Sequence, residues 1–210
     1  MSVHMHLRQP WVWLLVSAVI ITVLITPAVT LASNGAYSDG NYSACTYNTC
    51  GITLSSNGTV NINVTPGGST TCTTQSDSVA VTTDSSTGYT LSMNDNATSS
   101  SLLGSSTPTI PTSSATQSSP SALSTNTWGY RVDGVGGFGA GPTSASSNTG
   151  TSSTTFAGIP TSAQTAATLV NSGSPADPAV TTTVWYGICV DTTVPADTYS
   201  STVVYTAVVN

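Results

Sequence analysis

The chain has 210 residues, 5% of them charged, with no lysine or glutamate and a formal charge of −6 at pH 7. Its cations are Arg8 and Arg131, so no basic patch exists to neutralise phosphates, and nucleic-acid recognition is excluded. Its histidines, His4 and His6, lie at the extreme N-terminus. The body of the chain therefore lacks the usual general bases, and with them most enzyme chemistry.

The N-terminus reads as a targeting segment. A polar stretch carrying Arg8 precedes an apolar run from Trp11 to Ile25, and Pro27 breaks that run. Thr30 and Ala32 then place small residues at the −3 and −1 positions. This layout predicts a signal peptide over 1–32, with a helical apolar region and a mature N-terminus at Ser33. The competing reading is an uncleaved anchor, since Trp11–Ala32 is long enough to cross a bilayer of about 30 Å. A polar leader follows over 33–47.

From residue 48 onward the apolar residues recur with period two, the signature of strands with one face buried. Ile52 and Leu54 open the series, then Val60, Ile62 and Val64, then Val79 and Val81, then Tyr89, Leu91 and Met93. Later runs are Trp128, Tyr130 and Val132; Val184, Tyr186, Ile188 and Val190; and Val203, Tyr205, Ala207 and Val209. The breaks carry turn chemistry, as in Ser56-Asn57-Gly58, Pro66-Gly67-Gly68, Asp84–Gly88 and Pro195-Ala196-Asp197. Seven or eight short strands predict an all-β sandwich or barrel. Two stretches interrupt the rhythm. Residues 98–126 are rich in Ser, Thr and Pro, with Leu102, Leu103, Ile110 and Leu123 as apolar points. Residues 134–155 are rich in Gly, Ser and Thr around Phe138. Both are expected as low-complexity surface loops inserted in a single domain, 48–210, because alone they bury too little to offset ordering.

The cysteines are Cys45, Cys50, Cys72 and Cys189. An even count in an exported chain points to two disulfides, with three connectivities open. The favoured one closes a local Cys45–Cys50 loop and a long-range Cys72–Cys189 staple. A zinc site is disfavoured, because no paired Cys/His spacing is present.

The segment Val184-Trp185-Tyr186-Gly187, followed by Val194-Pro195-Ala196-Asp197-Thr198-Tyr199, resembles the C-terminal pattern of the spore coat protein U and fimbrial-subunit families. Gly88-Tyr89-Thr90-Leu91-Ser92 is similar to another of their strands. The resemblance covers the last 30 or so residues most closely. It implies an antiparallel, immunoglobulin-like β-sandwich and an extracellular structural role. Pilins of that kind donate an N-terminal strand of alternating apolar residues to a neighbour. Ser33–Tyr47 offers Tyr37, Tyr42 and Tyr47 without such alternation, so a self-complete sandwich is expected.

Chemistry-bearing clusters are few. Asp84, Asp191 and Asp197 lie at turns, where aspartate commonly accepts its own backbone N–H groups. Asp39-Gly40-Asn41 and Asn94-Asp95-Asn96 gather oxygens of the kind calcium takes, without an EF-hand pattern. Trp128 is in phase with the core residues of its strand. Trp185 is out of phase with Val184 and Tyr186, which makes it the candidate surface contact, either exposed or under a loop. Asn41, Asn57, Asn63 and Asn96 fit the N-glycosylation pattern. The expected function is a secreted or cell-surface structural or adhesive protein without enzymatic activity or cofactor. A carbohydrate-binding module and a fimbrial subunit are the alternatives. Partners would be other surface proteins or glycans, with membrane contact only through an uncleaved N-terminal segment.

Overall fold

The computed structural model describes residues 51–151 and 153–210, together with the backbone of 21–31. Among these the protein is all-β, with no helix. In chain order the strands are β1 (Ile21–Leu31), β2 (Ile52–Ser56), β3 (Val60–Val64), β4 (Thr71–Thr83), β5 (Tyr89–Asp95), β6 (Leu102–Gly104) and β7 (Thr109–Ile110). They continue as β8 (Ser121–Ala122), β9 (Thr127–Arg131), β10 (Ser146–Thr149), β11 (Thr155–Phe156), β12 (Ala167–Ser172), β13 (Ala176–Val190) and β14 (Thr198–Val209).

Two sheets carry the fold. One runs β12-β5-β14-β1-β3, with β6 added to β14 and β7 to β6. The other runs β10-β4-β13-β9, with β2 also paired to β4. Pairing is antiparallel except between β1 and β14. The period-two sequence pattern becomes period-two burial: β3 buries Val60, Ile62 and Val64, and β5 buries Tyr89, Leu91 and Met93. These residues meet Val79, Val81, Val184, Tyr186 and Ile188 of the other sheet in one core. Each such aliphatic side chain contributes about 1.5–3 kcal/mol on burial. Trp128 is 1% exposed and stacks on Tyr186, with ring centroids 6.4 Å apart.

Cys72 and Cys189 are directly opposite each other on β4 and β13 and form a disulfide, with Cα atoms 4.1 Å apart. Cys45 and Cys50 lie outside the described residues.

Three features depart from the sequence expectations. First, Ile21–Leu31, expected as part of a signal helix, runs as a strand between β14 and β3. An apolar run rich in Val, Ile and Thr suits a half-buried pleated strand as well as it suits a signal, and two sheet edges here supply the hydrogen bonds. Second, the 98–126 insertion is tied down rather than merely solvated. Leu102, Ile110 and Leu123 are buried, and the Trp128 indole N–H donates to the Ser100 carbonyl at 2.9 Å. Leu103 alone of its apolar points stays exposed. Third, Phe138 anchors the 134–155 stretch, 3% exposed and edge-on to Tyr130.

Candidate functional site

Two open clefts border the insertions, one reaching Tyr130 and the other Arg131 of β9. The first, about 750 Å³, lies between the 112–118 segment and residues 158–168. Its wall follows from hydroxyl chemistry. Ser113 Oγ accepts the Ala115 N–H, Thr116 Oγ1 accepts the Ser119 N–H, and Thr112 Oγ1 accepts the Ile159 N–H. Serine and threonine thus take up backbone donors of the irregular segments. Gln117 locks the wall in place. Its Oε1 accepts the Tyr130 hydroxyl at 3.0 Å, and its Nε2 donates to the Thr168 carbonyl at 2.7 Å. A Cβ on Gly158 would lie 1.9 Å from the Ser113 carbonyl oxygen, so only glycine permits this approach. The resulting surface offers hydroxyls, amides and the edge of Tyr130.

The second cleft, about 790 Å³, opens over Arg131 and the 138–155 stretch. Arg131 is buried, and its Nε donates to Asp133 at 2.7 Å and to Thr143 Oγ1 at 2.6 Å. One terminal nitrogen reaches the Thr155 carbonyl and hydroxyl, and the guanidinium lies 5.8 Å from the Phe138 ring centroid. Burial works to raise the Asp133 carboxyl. The Thr143 hydroxyl and N–H and the Arg131 guanidinium outweigh it and hold the carboxyl below its ordinary range. This cation organises its loop, and its donors are already engaged.

The remaining aspartates have local partners. Asp191 accepts hydrogen bonds from the Thr193 N–H and from Asn126 Nδ2, and Asp197 accepts the Ser106 and Thr198 N–H groups. The Thr193 hydroxyl beside Asp191, and the Ser105 hydroxyl beside Asp197, hold these two carboxyls below the ordinary range. Carboxylates so stabilised are weak bases. Asp84 accepts the Gly51 N–H at 3.3 Å. Asp95 does not gather oxygens outward for calcium. It is 1% exposed and accepts the Ala97 N–H and the Ser201 hydroxyl. Among the described residues no three His, Cys, Asp or Glu side chains converge on a metal position. Asp39 and Asn41 lie outside the described residues.

Trp185 is half-buried on the face opposite Val184 and Tyr186, paired across the sheet with Arg131 and Ser76. It does not line either cleft. Tyr37, Tyr42 and Tyr47 lie outside the described residues, so no sugar-stacking platform is assembled from them here.

The sequence reading missed Asp77. It lies on the inward face of β4, 1% exposed, in phase with Val79 and Val81. Its Oδ1 accepts the Asn57 N–H at 3.0 Å, and the Tyr205 hydroxyl lies beside the carboxyl. Tyr205 shares a 2.7 Å hydrogen bond with Tyr186, whose hydroxyl also reaches Met93 Sδ. Burial pushes the Asp77 carboxyl above its ordinary value against the pull of Asn57 and Tyr205. The signal for it was the period itself, since position 77 is an inward position occupied by an acid.

Compared with known proteins, the chain matches no family model, no curated protein and no solved structure.

Proposed function

We propose that the protein is an exported, cell-surface β-sandwich of immunoglobulin-like organisation, with a structural or adhesive role and no enzymatic activity. The observation that carries this reading is the Cys72–Cys189 disulfide between the two central strands of the second sheet. Such bonds form and persist in oxidising compartments. The hydroxyl-rich insertions support it further, since their side chains are spent on backbone groups and on each other. The resemblance of Val184–Tyr199 to coat and fimbrial subunits points the same way.

Protease shaving of intact cells and immunogold labelling test the location. Surface label lost on shaving is expected, and label confined to the cell interior would refute export. Negative-stain images of surface material test the fimbrial version through the presence or absence of filaments.

A second reading, a carbohydrate-binding module, is favoured by the first cleft, where Gln117, Tyr130 and several hydroxyls line an open concavity. A glycan array separates the two. Binding that is lost with Gln117→Ala supports the module, and an array blank at all positions supports the purely structural role.

A further inference from the structure

The first sheet contains a position one strand wide, between β3 and β14. Both neighbours are fixed without reference to what fills it. β14 pairs along its other edge with β5 over Val203–Val209 and with β6 at Tyr199 and Ser200. β3 is pinned to the core by Val60, Ile62 and Val64, which are 6%, 1% and 0% exposed. Yet among the described residues β3 has no sheet partner except β1. β1 pairs with β14 in parallel over ten consecutive residues, from Thr22 opposite Thr198 to Leu31 opposite Ala207. It pairs with β3 in antiparallel fashion from Ile21 opposite Val64 to Ile25 opposite Val60. Without β1, two facing edges would present unpaired N–H and C=O groups beside the core. An open edge of that kind is a template for pairing with other chains.

The residues that fill this position are the apolar residues that the sequence marks as an export segment. The two readings require different places for the same atoms, because a strand hydrogen-bonded to Thr198–Ala207 is not in a bilayer. We propose that Ile21–Leu31 serves twice in succession, first as part of the export segment and then, retained in the folded chain, as the strand that closes its own sheet. Cleavage after Ala32 would remove the strand, so processing of the folded protein lies upstream of Ile21 or does not occur. The first role rests on the proposal that the protein is exported, and the second rests on the pairing register alone.

The test uses the full chain, expressed with export and purified from the surface fraction. The N-terminus of the unmodified protein is read by sequencing and intact mass. A Thr26→Cys/Thr202→Cys chain then reports the register, because these positions are Cα partners in the β1–β14 ladder. The expected result is a chain that retains residues 21–31, with both engineered thiols lost to alkylation in a monomer. A mature N-terminus at Ser33 overturns the proposal and leaves the β3–β14 position to a strand from another molecule. A retained segment whose thiols remain reactive overturns it, and so does a cross-link that joins two chains. Cell fractionation reads export separately, so failure of that reading is distinguishable from failure of this one.

Discussion

Asp77→Asn should stabilise the protein at neutral pH. The wild-type carboxyl lies in the core with one oxygen on the Asn57 N–H and the other, Oδ2, without a hydrogen bond of normal geometry. Its folded pKa is raised above 3.8 by burial. A raised carboxylate favours the folded state fully below the unfolded value and loses that contribution as pH rises through the folded value. Ionising this buried carboxyl, whose Oδ2 lacks a well-formed partner, therefore costs folding free energy as pH rises. Asparagine keeps the shape and the acceptor for Asn57 and adds an N–H₂ that can donate to Tyr205. Tyr205 can then donate to Tyr186, and Tyr186 to Met93 Sδ, so each hydroxyl in the chain has a role. Removing a buried unsatisfied acceptor is worth about 1–3 kcal/mol, and melting shifts by about 2–4 °C per kcal/mol for chains of this size. Urea unfolding at pH 7 and pH 3 is the assay. The variant should exceed wild type by that amount at pH 7, with unchanged denaturant slope, and the gap should narrow at pH 3. A variant less stable than wild type at pH 7 would show that the ionised Asp77 is a net stabilising partner of the tyrosine pair, and the reasoning would fail.

Three further changes probe other parts of the fold. The Cys72–Cys189 bridge closes a separation of 117 residues, which by loop entropy contributes about 5 kcal/mol. Trypsin cuts at Arg8 and Arg131, so in denatured, thiol-blocked protein the pieces on either side of Arg131 should stay joined until reductant is added. Separation without reductant would refute the bridge. Asp133→Ala strands the Arg131 guanidinium, 7% exposed. The loss should approach about 3–5 kcal/mol, reduced because Asp133 is 23% exposed. It should appear as faster thermolysin cleavage within 134–155, and no change would mean that the ion pair does not hold the loop. Because the Asp133 carboxyl is lowered, the wild-type contribution should persist above pH 3.8 and fade as pH drops through the folded value. Gly187→Ala would set a Cβ 2.6 Å from the Phe156 ring, and about 1–3 kcal/mol of destabilisation in urea is expected. Wild-type stability there would show that Phe156 has room to move.

The parts of the fold that were legible are those that repeat. Val60-Asn61-Ile62-Asn63-Val64 alternates between apolar and polar residues, and the burial of β3 alternates with it. The same holds for β5 and for Val203–Ala207 of β14, because a buried sheet face imposes period two directly on the sequence, whereas β13 is buried on both faces over Tyr186–Val190. Asp77 and Asp95 hold inward positions in β4 and β5. An apolar/polar pattern reads them as breaks in the strand, whereas Asn57 and Tyr205 in one case, and Ala97 and Ser201 in the other, make them affordable inside. β1 escaped notice because an apolar run rich in β-branched residues has the same composition whether it is bound for a membrane or a sheet. Only the edges offered by β3 and β14 distinguish the two, and those edges come from residues more than thirty positions away.

The clefts were illegible for a different reason. Their walls come from stretches where serine and threonine recur without period, and any one hydroxyl could cap any nearby N–H. What selects Thr112, Ser113 and Gln117 is the placement of a few apolar anchors: Ile110 and Leu102 buried beneath the insertion, and Trp128 holding Ser100 from below. Once these anchors fix the path, Ser113 and Thr116 accept N–H groups two and three residues on, while Thr112 reaches across to Ile159. A low-complexity segment in this chain is thus ordered by sparse apolar points and saturated by abundant hydroxyls.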